Sequence, residues 1–279
     1  MSKDPNRHSQ RSKLVKGHQA RKRFGQNFLS DPFYIQRIVD AIAPTKQDSM
    51  VEIGPGLGAI TELLVDQVEG LHVVELDNDL IPRLEASFGS RNNFHIHHAD
   101  ALKFDFGQLA TTKSEAKLRI VGNLPYNIST PLIFHLLQYN HLIEDMYFML
   151  QKEVVQRICA PVSTNHYGRL SVMSQYYCQT QMLFEVPPGA FQPAPKVDSA
   201  IVRLVPRPAS ELLVVQPQQL KQLVITAFNQ RRKTIRNNLK QWFSDEALAQ
   251  QGVDPKLRPE NIELASYIKL ANALSNGQL

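Results

Sequence analysis

Short apolar segments alternate with helix-like stretches through most of the first two thirds of this 279-residue chain. Alternation of this kind is typical of an α/β domain with a mostly parallel sheet, because parallel strands need a crossover between them, usually a helix. The predicted strands are Met50–Ile53, Leu71–Leu76, Phe94–His97, Arg119–Val121, Met146–Leu150 and Ile201–Val205. Asp31-Pro32 predicts the start of a helix before the first strand, and after Pro217 the pattern is helical to the end. The sequence therefore predicts an α/β domain followed by a small all-helical domain.

Prolines and charge indicate the domain boundaries. Pro206 and Pro208 follow the last predicted strand, so we expect a leader at 1–20, an α/β domain at 21–206 and a helical domain at 207–279. The leader is polar and without apolar periodicity, and we expect it to be disordered in the free protein. Residues 1–23 carry eight Lys and Arg against one acid, and residues 207–279 carry ten against six. Basic ends are typical of proteins that hold nucleic-acid phosphates, although a leader that only solubilises the chain is an equal alternative.

Several classes of protein are disfavoured by composition. No apolar run approaches the roughly 18 residues of a membrane span, and the charged N-terminus lacks the apolar stretch of a secretory signal. Cys159 and Cys178 are predicted to be reduced structural residues rather than a disulfide framework. We therefore expect a cytoplasmic protein without a membrane partner, and a monomer by default.

A glycine-rich turn connects the first predicted strand to a predicted helix over 59–65. It reads Glu52-Ile53-Gly54-Pro55-Gly56-Leu57-Gly58, and glycines let the backbone approach a ligand without a Cβ in the way. NAD is the first candidate ligand, because such turns hold pyrophosphates. The spacing here is Gly-x-Gly-x-Gly rather than Gly-x-Gly-x-x-Gly, and Glu52 would repel a pyrophosphate. An acid at this position instead favours a cationic ligand such as S-adenosylmethionine (SAM).

Acidic residues end the next two predicted strands. Glu75 lies where a carboxylate can accept hydrogen bonds from both hydroxyls of a ribose, and Asp77 is its rival because strand alternation puts it on the same side. Asp100 follows the third strand, where it can accept from an adenine amino group. Each acid alone is more often a turn or cap residue. Together they predict one ligand site, since open α/β sheets bind ligands at the carboxyl ends of their strands.

The strand at Arg119–Val121 leads into Asn123-Leu124-Pro125-Tyr126. Asn123 supplies an amide oxygen, the stiff turn aims the Leu124 carbonyl, and Tyr126 offers an aromatic face. These groups suit an exocyclic amine on a flat heterocycle such as adenine, held by its N–H bonds while the ring stacks on tyrosine. An Asn and a Pro after a strand usually make only a turn, so the hypothesis of group transfer to an amino nitrogen depends on the donor site upstream.

Seven segments spread over nearly the whole chain match the motifs of one family. They are Arg23–Leu29, Glu52–Thr61, Val74–Leu80, Ala99–Ala101, Asn123–Asn127, Phe191–Ser199 and Phe228–Arg236. On these segments the chain resembles the small-subunit ribosomal RNA adenine dimethyltransferases of the KsgA type. The resemblance implies a Rossmann-like class I SAM-dependent methyltransferase domain with a mostly parallel seven-stranded sheet. It also implies methyl transfer to N6 of two adjacent adenines near the 3′ end of 16S rRNA, with that rRNA or a small-subunit precursor as partner.

The resemblance also assigns roles to individual residues. It places Asn123 where the donor and the target meet, and with Leu124 and Tyr126, which residue chemistry alone suggests, Asn123 completes the predicted catalytic residues. The implied SAM contacts are Asn27, Leu29, Gly54, Glu75, Asp100 and Asn123. Asn27 and Leu29 follow from the resemblance alone, whereas the others also fit the interpretation from residue chemistry. No metal is expected, because His95 and His97 share a strand face but no Cys or acid completes a ligand set.

Candidate RNA contacts lie in the C-terminal third of the chain. Five cations occur within ten residues, at Arg231, Arg232, Lys233, Arg236 and Lys240, on a stretch with helical apolar spacing from Leu220 to Leu239. A solvated helix face is the plain alternative, but with a nucleobase site upstream we expect phosphate contacts at the first four. Phe191 begins a proline-stiffened loop and is either a base-stacking residue or a packing residue.

Two other functions remain open from the sequence. A large-subunit rRNA adenine N6-methyltransferase of the macrolide-resistance type would share the SAM motifs, but the Asn-Leu-Pro-Tyr-Asn form and the last two matching segments favour the small subunit. A non-catalytic ribosome-assembly factor would keep the fold, and intact Asn123 and Tyr126 argue against loss of activity. A DNA adenine methyltransferase is disfavoured, since its motif usually carries Pro-Pro after Asp or Asn.

Overall fold

The computed structural model describes residues 14–15, 18–19, 26–110, 117–125 and 128–275. Predictions on other residues, among them Tyr126 and the disorder of most of the leader, lie outside the described residues. Within the leader, strands β1 (Leu14–Val15) and β2 (His18–Gln19) pair antiparallel. Two further short strands, β3 (Phe28–Leu29) and β10 (Phe191–Gln192), also pair antiparallel.

Seven strands form one mixed sheet in the order β6-β5-β4-β7-β8-β11-β9. The first five run parallel to one another, and β11 runs antiparallel to β8. The strands are β4 (Ser49–Ile53), β5 (Gly70–Glu75), β6 (Phe94–His98), β7 (Leu118–Asn123), β8 (Ile143–Gln151), β9 (Cys178–Val186) and β11 (Ser199–Pro206). The prediction of a mostly parallel seven-stranded α/β sheet is thereby confirmed.

Each of the six strands predicted from apolar segments overlaps an observed strand, and five of these segments, all except Phe94–His97, are mostly buried. Met50, Leu71 and Ile120, for example, have no exposed surface. Strand β9 was missed, since polar residues such as Gln179 and Gln181 interrupt its apolar pattern and most of its residues are not fully buried.

Four helices precede or follow the parallel strands: α1 (Pro32–Ile42), α2 (Thr61–Leu64), α3 (Ile81–Phe88) and α4 (Ser129–Leu136). The predicted start of α1 at Asp31-Pro32 is observed, with the Asp31 carboxylate accepting from the Phe33 N–H at 2.9 Å as an N-cap. Helix α2 is shorter than the predicted 59–65, because the turn that follows the glycines extends to Ile60.

The amino ends of three neighbouring strands are joined by the buried Arg119. Its guanidinium donates two hydrogen bonds to Asp145, at 2.9 and 3.0 Å, and one to Asp48 at 2.6 Å. It also donates to the Ile42 carbonyl at the end of α1, at 2.7 Å. Because these contacts satisfy a buried cation, they hold the sheet at the edge opposite to the carboxyl ends.

Contacts divide the chain into two compact units, residues 1–152 with 182–205, and residues 153–181 with 206–279. The division differs from the expected one in assigning 153–181 to the second unit. The helices at and after this boundary are α5 (Lys152–Ile158), α6 (Arg169–Tyr177), α7 (Pro217–Ala227), α8 (Ile235–Leu239), α9 (Asp245–Gln250) and α10 (Leu264–Ser275). Short 3-10 helices occur at Phe106–Leu109, Leu137–Leu142, Pro188–Ala190, Ala209–Glu211 and Pro259–Asn261.

The expectation of one helical stretch from Leu220 to Leu239 is wrong. Helix α7 ends at Ala227, residues 228–234 form a turn, and α8 begins at Ile235. The Asn238 side-chain amide donates to the carbonyls of Ala227 and Gln230, at 2.6 and 3.3 Å, and satisfies groups that the broken helix would leave unpaired. None of the helices in the described part of the chain has the length and apolar character that a bilayer span requires.

Candidate active site

A cavity of about 250 Å³ lies in the first unit at the carboxyl ends of β4, β5 and β7 and beside the loop after β6. This is the edge at which open α/β sheets bind ligands. The cavity brings together the glycine-rich turn, the acids at the strand ends and the segment after β7. Its lining consists of residues 26–29, 52–57, 59–60, 74–76, 80, 99–102, 123–125 and 128.

The glycine-rich turn presents its backbone to the cavity. Gly54 and Gly56 have φ values of +68° and +60°, in the left-handed region that favours glycine. The Gly54 N–H donates to the Val74 carbonyl at 2.9 Å and ties the turn to β5. A Cβ on Gly56 would lie 3.1 Å from the Phe28 ring, whereas a Cβ on Gly54 would meet only the Asn123 carbonyl, at 3.8 Å. Open space beside Gly54 is where a ligand can approach the main chain.

Glu75 faces this cavity, whereas Asp77 does not line it. The Glu75 carboxylate accepts from the backbone N–H groups of Leu76 and Asp77, each at 2.8 Å, through the same oxygen. Asp77 is 1% exposed and its carboxylate accepts from the Gln26 amide at 2.8 Å and the Asp79 N–H at 3.2 Å. Since Asp77 is engaged with the surrounding chain, the geometry favours Glu75 over Asp77 as the ribose ligand.

Burial raises the pKa of Glu75 above its ordinary value. The backbone N–H groups that point at the carboxylate act in the opposite direction, because they favour its ionised form. The neighbouring Asp77 carboxylate raises the pKa as burial does.

Glu52 is a second acid in the same cavity, 2% exposed at the end of β4. Burial raises its pKa to about 7, the Thr61 hydroxyl lowers it by donating a hydrogen bond at 2.6 Å, and the nearby Glu75 carboxylate raises it. A positive charge placed in the cavity would relieve this cost of ionisation.

Asp100 lies at the predicted position, in the turn after β6, and lines the cavity. Its Oδ1 accepts from the Leu102 N–H at 3.0 Å, which fixes the carboxyl group against the turn. With Glu52 and Glu75 it gives the cavity three acids. No Lys, Arg or His occurs among the described lining residues. Three acids without a described cation suit a cationic ligand and disfavour the pyrophosphate of a dinucleotide.

Asn123 is the last residue of β7, and its side chain is held by residues 26–29, which form the N-terminal wall of the cavity. Asn123 Nδ2 donates to the Asn27 backbone carbonyl at 3.1 Å. The next residue, Leu124, donates its N–H to the Met149 carbonyl at 3.2 Å, so the backbone is anchored on β8. None of the described residues donates to the Leu124 carbonyl. An amide oxygen and a main-chain carbonyl thus lie at one end of the cavity.

Residues 26–29 form one wall of the cavity, and residue chemistry without the family resemblance did not predict it. Phe28 and Leu29 are each 7% exposed and belong to β3, and the Phe28 ring covers Gly56. The N–H groups of Ser30 and Asp31 donate to the Ala190 carbonyl, at 2.9 and 3.2 Å. Asn27 and Leu29, which the resemblance alone implied, both line the cavity. Gln26 and Thr61 lie in the matching segments Arg23–Leu29 and Glu52–Thr61, but neither was assigned a role from the sequence.

The comparison with known proteins settles the family. A model of the family described as ribosomal RNA adenine dimethylase matches residues 17–276. This chain belongs to the ribosomal RNA adenine dimethylase family. A relative from Marinobacter nauticus, named ribosomal RNA small subunit methyltransferase A, is 58% identical over 260 residues, which cover 93% of each chain. A relative of the same name from Saccharophagus degradans is 57% identical over 93% of this chain and 96% of its own.

Solved structures show the same fold. A dimethyladenosine transferase from Plasmodium falciparum aligns with a TM-score of 0.78 at 24% identity, over 90% of this chain and 98% of its own. The 23S rRNA methyltransferase ErmE aligns with a TM-score of 0.68 at 25% identity, over 89% of this chain and 100% of its own. The fold is therefore shared with a dimethyladenosine transferase and with a 23S rRNA methyltransferase.

The residues that were expected to contact RNA differ in their burial and in the groups that they contact. Phe191 is 3% exposed and packs in the core with residues such as Leu29 and Val186, which favours the packing alternative over base stacking. Arg231 donates to the carbonyls of Asn165 and Tyr167, at 2.6 and 3.1 Å, and so links the 228–234 turn to another loop of the second unit.

The remaining cations lie on the same turn and on α8 and its end. Arg236 pairs with Asp245 at 3.3 Å, with both side chains about half exposed. Arg232, Lys233 and Lys240 are exposed. All four expected phosphate contacts are exposed, and Arg231, Arg232 and Lys233 lie on a turn rather than on a helix.

Three of the four histidines on β5 and β6 form a cluster of rings. His72 stacks on His95 with ring centroids 4.8 Å apart, and His72 Nδ1 lies 3.0 Å from His97 Nε2. Burial, followed by the neighbouring rings, lowers the pKa of His72 to about 4. Among the described residues no group of three or more His, Cys, Asp or Glu is arranged to hold a metal ion. Cys159 and Cys178 are both free thiols.

Proposed function

We propose that this chain transfers methyl groups from SAM to N6 of two adjacent adenines near the 3′ end of 16S rRNA and so forms N6,N6-dimethyladenosines during small-subunit biogenesis. The observation that carries the proposal is the placement of Asn123 and the Leu124 carbonyl in the same cavity as the three acids. The relatives named small subunit methyltransferase A, at 57 and 58% identity, support the choice of substrate.

The cavity fits SAM on three counts. Its acids match a cationic ligand, Gly54 leaves space beside the main chain, and Glu75 offers a carboxylate to ribose hydroxyls. Asp100 would accept from the adenine amino group of the donor, and Asn27 and Leu29 would close over its methionine end. When bound, SAM supplies a methyl group that is already activated, so the tasks of the protein are positioning and electrostatics.

The target amine is held by acceptors. The N6 lone pair of adenine is delocalised into the ring, which makes the nitrogen a poor nucleophile. Asn123 Oδ1 and the Leu124 carbonyl would accept from the two N6 hydrogens and favour a tetrahedral nitrogen with a localised lone pair. The positive charge that develops there is stabilised by the same oxygens. Tyr126, which lies outside the described residues, would add a cation–π contribution of roughly 0.5–2 kcal/mol.

No general base is required before transfer, since the nitrogen attacks as the neutral amine. A second methylation requires the monomethylated nitrogen to rotate and to present its remaining hydrogen to the acceptors. The target base must leave its stack to reach the cavity. We propose that the helical second unit, with Arg232 and Lys233, contacts rRNA phosphates during this step. A cytoplasmic, monomeric protein acting on 16S rRNA or a small-subunit precursor completes the proposal.

One experiment tests the substrate directly. The protein is incubated with labelled SAM and, in separate reactions, with small subunits, large subunits and each free rRNA, and the labelled nucleoside is identified by chromatography. We expect label in N6,N6-dimethyladenosine from small-subunit rRNA. Label confined to the large subunit would overturn the proposal in favour of the macrolide-resistance type of enzyme. Absence of label from every RNA, with binding to small subunits retained, would leave the assembly factor.

The two alternatives are not favoured by the comparisons. Similarity to the 23S rRNA methyltransferase ErmE, at 25% identity, is much lower than similarity to the small-subunit relatives. A factor without activity would have no need for the placement of Asn123 at the ligand cavity.

A further inference from the structure

We propose that the hydrogen bond from Gln26 to Asp77 is a latch that holds residues 26–29 across the cavity and, through the Asn27 carbonyl, orients the Asn123 amide for catalysis. The inference rests on the proposed function and adds Gln26 and Asp77 to it as positioning residues. Neither residue contacts the reacting atoms.

Two tethers hold the segment 26–29 against the strand ends. Gln26 Nε2 donates to Asp77 Oδ2 at 2.8 Å, in the turn just after β5. One residue further on, the Asn27 carbonyl accepts from Asn123 Nδ2 at 3.1 Å, at the end of β7. The tethers therefore join two strand ends through consecutive residues of one segment. Downstream, the pairing of β3 with β10 holds the other end of the segment.

The second tether determines which way the Asn123 amide faces. A backbone carbonyl can only accept, so the atom of Asn123 that contacts Asn27 must be the NH₂ group. The amide oxygen is then directed away from Asn27 and remains for the target amine. Movement of the segment would release this constraint and let the amide rotate, with the wrong group facing the base. Orientation of Asn123 is thus coupled to the position of residues 26–29.

Asp77 is suited to anchor the latch because it is itself fixed. Its side chain is 1% exposed, and its Oδ1 accepts from the Asp79 N–H at 3.2 Å while its carbonyl accepts from the Leu80 N–H at 2.9 Å. A buried carboxylate gains more from a hydrogen bond than an exposed one does, because it has lost its hydration. This role also explains a buried acid that does not line the ligand cavity.

The test uses four variants of the full-length protein. Gln26→Ala removes the latch, and Gln26→Glu places a carboxylate against Asp77. The double variant Gln26→Glu with Asp77→Asn restores a donor and an acceptor with the roles exchanged. Gln36→Ala is the matched control, since Gln36 donates to Asp40 at the same 2.8 Å on an exposed face of α1.

Three quantities are measured for each variant. They are the affinity for S-adenosylhomocysteine by calorimetry, hydrogen exchange of the 26–31 amides in the ligand-free protein, and kcat and KM for methyl transfer. Gln26→Ala and Gln26→Glu are expected to lower the affinity for S-adenosylhomocysteine about tenfold or more and to lower kcat about tenfold or more. Both variants should also speed hydrogen exchange of the 26–31 amides. The double variant is expected to recover most of each loss, and Gln36→Ala to match the wild-type protein.

Two results would overturn the latch. One is Gln26→Ala behaving as Gln36→Ala does in ligand affinity and exchange, and the other is the double variant being no better than Gln26→Glu. The first two measurements need no RNA, so they remain decisive if the proposed rRNA substrate is wrong. Conversely, failure of the wild-type protein to label small-subunit rRNA would overturn the proposed function and leave the measurements on the ligand-free protein intact.

Discussion

Asn123 combines two roles in one side chain, since its NH₂ group is bonded to Asn27 and its oxygen is assigned to the target amine. Asn123→Ala removes both groups and is expected to lower kcat about 10²-fold, the scale of losing one preorganised polar group in an active site. The affinity for S-adenosylhomocysteine should stay within a few-fold, because the acids, the glycine turn and the Gln26–Asp77 hydrogen bond that holds residues 26–29 are untouched. Steady-state kinetics and calorimetry measure the two effects.

The Asn123→Asp variant separates the two roles. An aspartate keeps an acceptor for the amine but places a carboxylate oxygen against the Asn27 carbonyl, where two acceptors repel. We therefore expect turnover nearly as low as in Asn123→Ala. Wild-type turnover in Asn123→Asp would show that the hydrogen bond with Asn27 has no part in orienting the amide.

Glu52 gives the ligand-free protein a pH dependence of stability. Its pKa is about 7 in the folded protein against 4.5 for the exposed group, so the folded state binds the extra proton between these values. The stabilisation that this provides is present below pH 4.5 and is lost as pH rises through about 7, on the order of 3 kcal/mol in total. Glu52→Gln should therefore raise Tm at pH 8 and change it little at pH 5. A difference in Tm that is equal at both pH values would contradict this account.

At the scale of the elements, two glycines of the glycine-rich turn are expected to have different roles, Gly58 in stability and Gly54 in ligand binding. Gly58 has φ +81°, and a Cβ there would lie 2.6 Å from the Phe88 ring, so Gly58→Ala is expected to destabilise the fold by about 2–4 kcal/mol. In Gly54→Ala the new methyl group meets no close atom, and the φ of +68° should lower the free energy of unfolding by about 1–2 kcal/mol. The methyl group narrows the cavity, however. Among folded molecules, Gly54→Ala should therefore lower the affinity for S-adenosylhomocysteine more than Gly58→Ala does.

Gly70 supplies the control for this pair, because a Cβ there meets nothing within 4 Å and its φ lies outside the strained region. Gly70→Ala should shift stability by less than about 1 kcal/mol in either direction. Denaturant unfolding and calorimetry give the two quantities. Equal loss of stability in Gly58→Ala and Gly70→Ala would show that the Phe88 ring does not limit this turn.

The sequence predicted those elements in which local pattern and burial agree. Continuous apolar runs such as Met50–Ile53 are buried on the sheet, and Asp31-Pro32 combines a cap with a proline at the first turn of α1. The prediction failed where tertiary contacts determine the local structure. Strand β9 carries polar residues, and the break of the helix at 228–234 depends on the Asn238 side chain reaching back to Ala227.

The sequence likewise predicted only a part of the cavity, namely the residues at the strand ends. Acids and glycines at strand ends converge because parallel strands end at one edge, so Glu75, Asp100 and Gly54 could be proposed from spacing. The Gln26–Asp77 hydrogen bond joins residues 51 positions apart and has no periodic signal, and only the folded chain shows it. The burial of Phe191 likewise depends on the pairing of β10 with β3.

At the scale of the whole molecule, the charge pattern predicts how the protein binds its substrate. Exposed Arg232 and Lys233 are expected to neutralise phosphates, so the double variant Arg232→Ala/Lys233→Ala should bind small subunits more weakly and with a salt slope reduced by about two, one for each phosphate that is no longer neutralised. Lys221→Ala, an exposed cation on α7, is the control. An unchanged slope of log affinity against log salt would remove this turn from the interface.

The central claim is that one cavity directs methyl groups to the amino nitrogens of two neighbouring adenines of small-subunit rRNA. The most direct measurement is mass spectrometry of the 3′ fragment of small-subunit rRNA from unmodified subunits treated with the protein and SAM, with Asn123→Ala as the parallel reaction. We expect two adjacent N6,N6-dimethyladenosines with the wild-type protein and their loss with the variant. Methyl groups on the large-subunit rRNA alone, or equal modification by both proteins, would contradict the account.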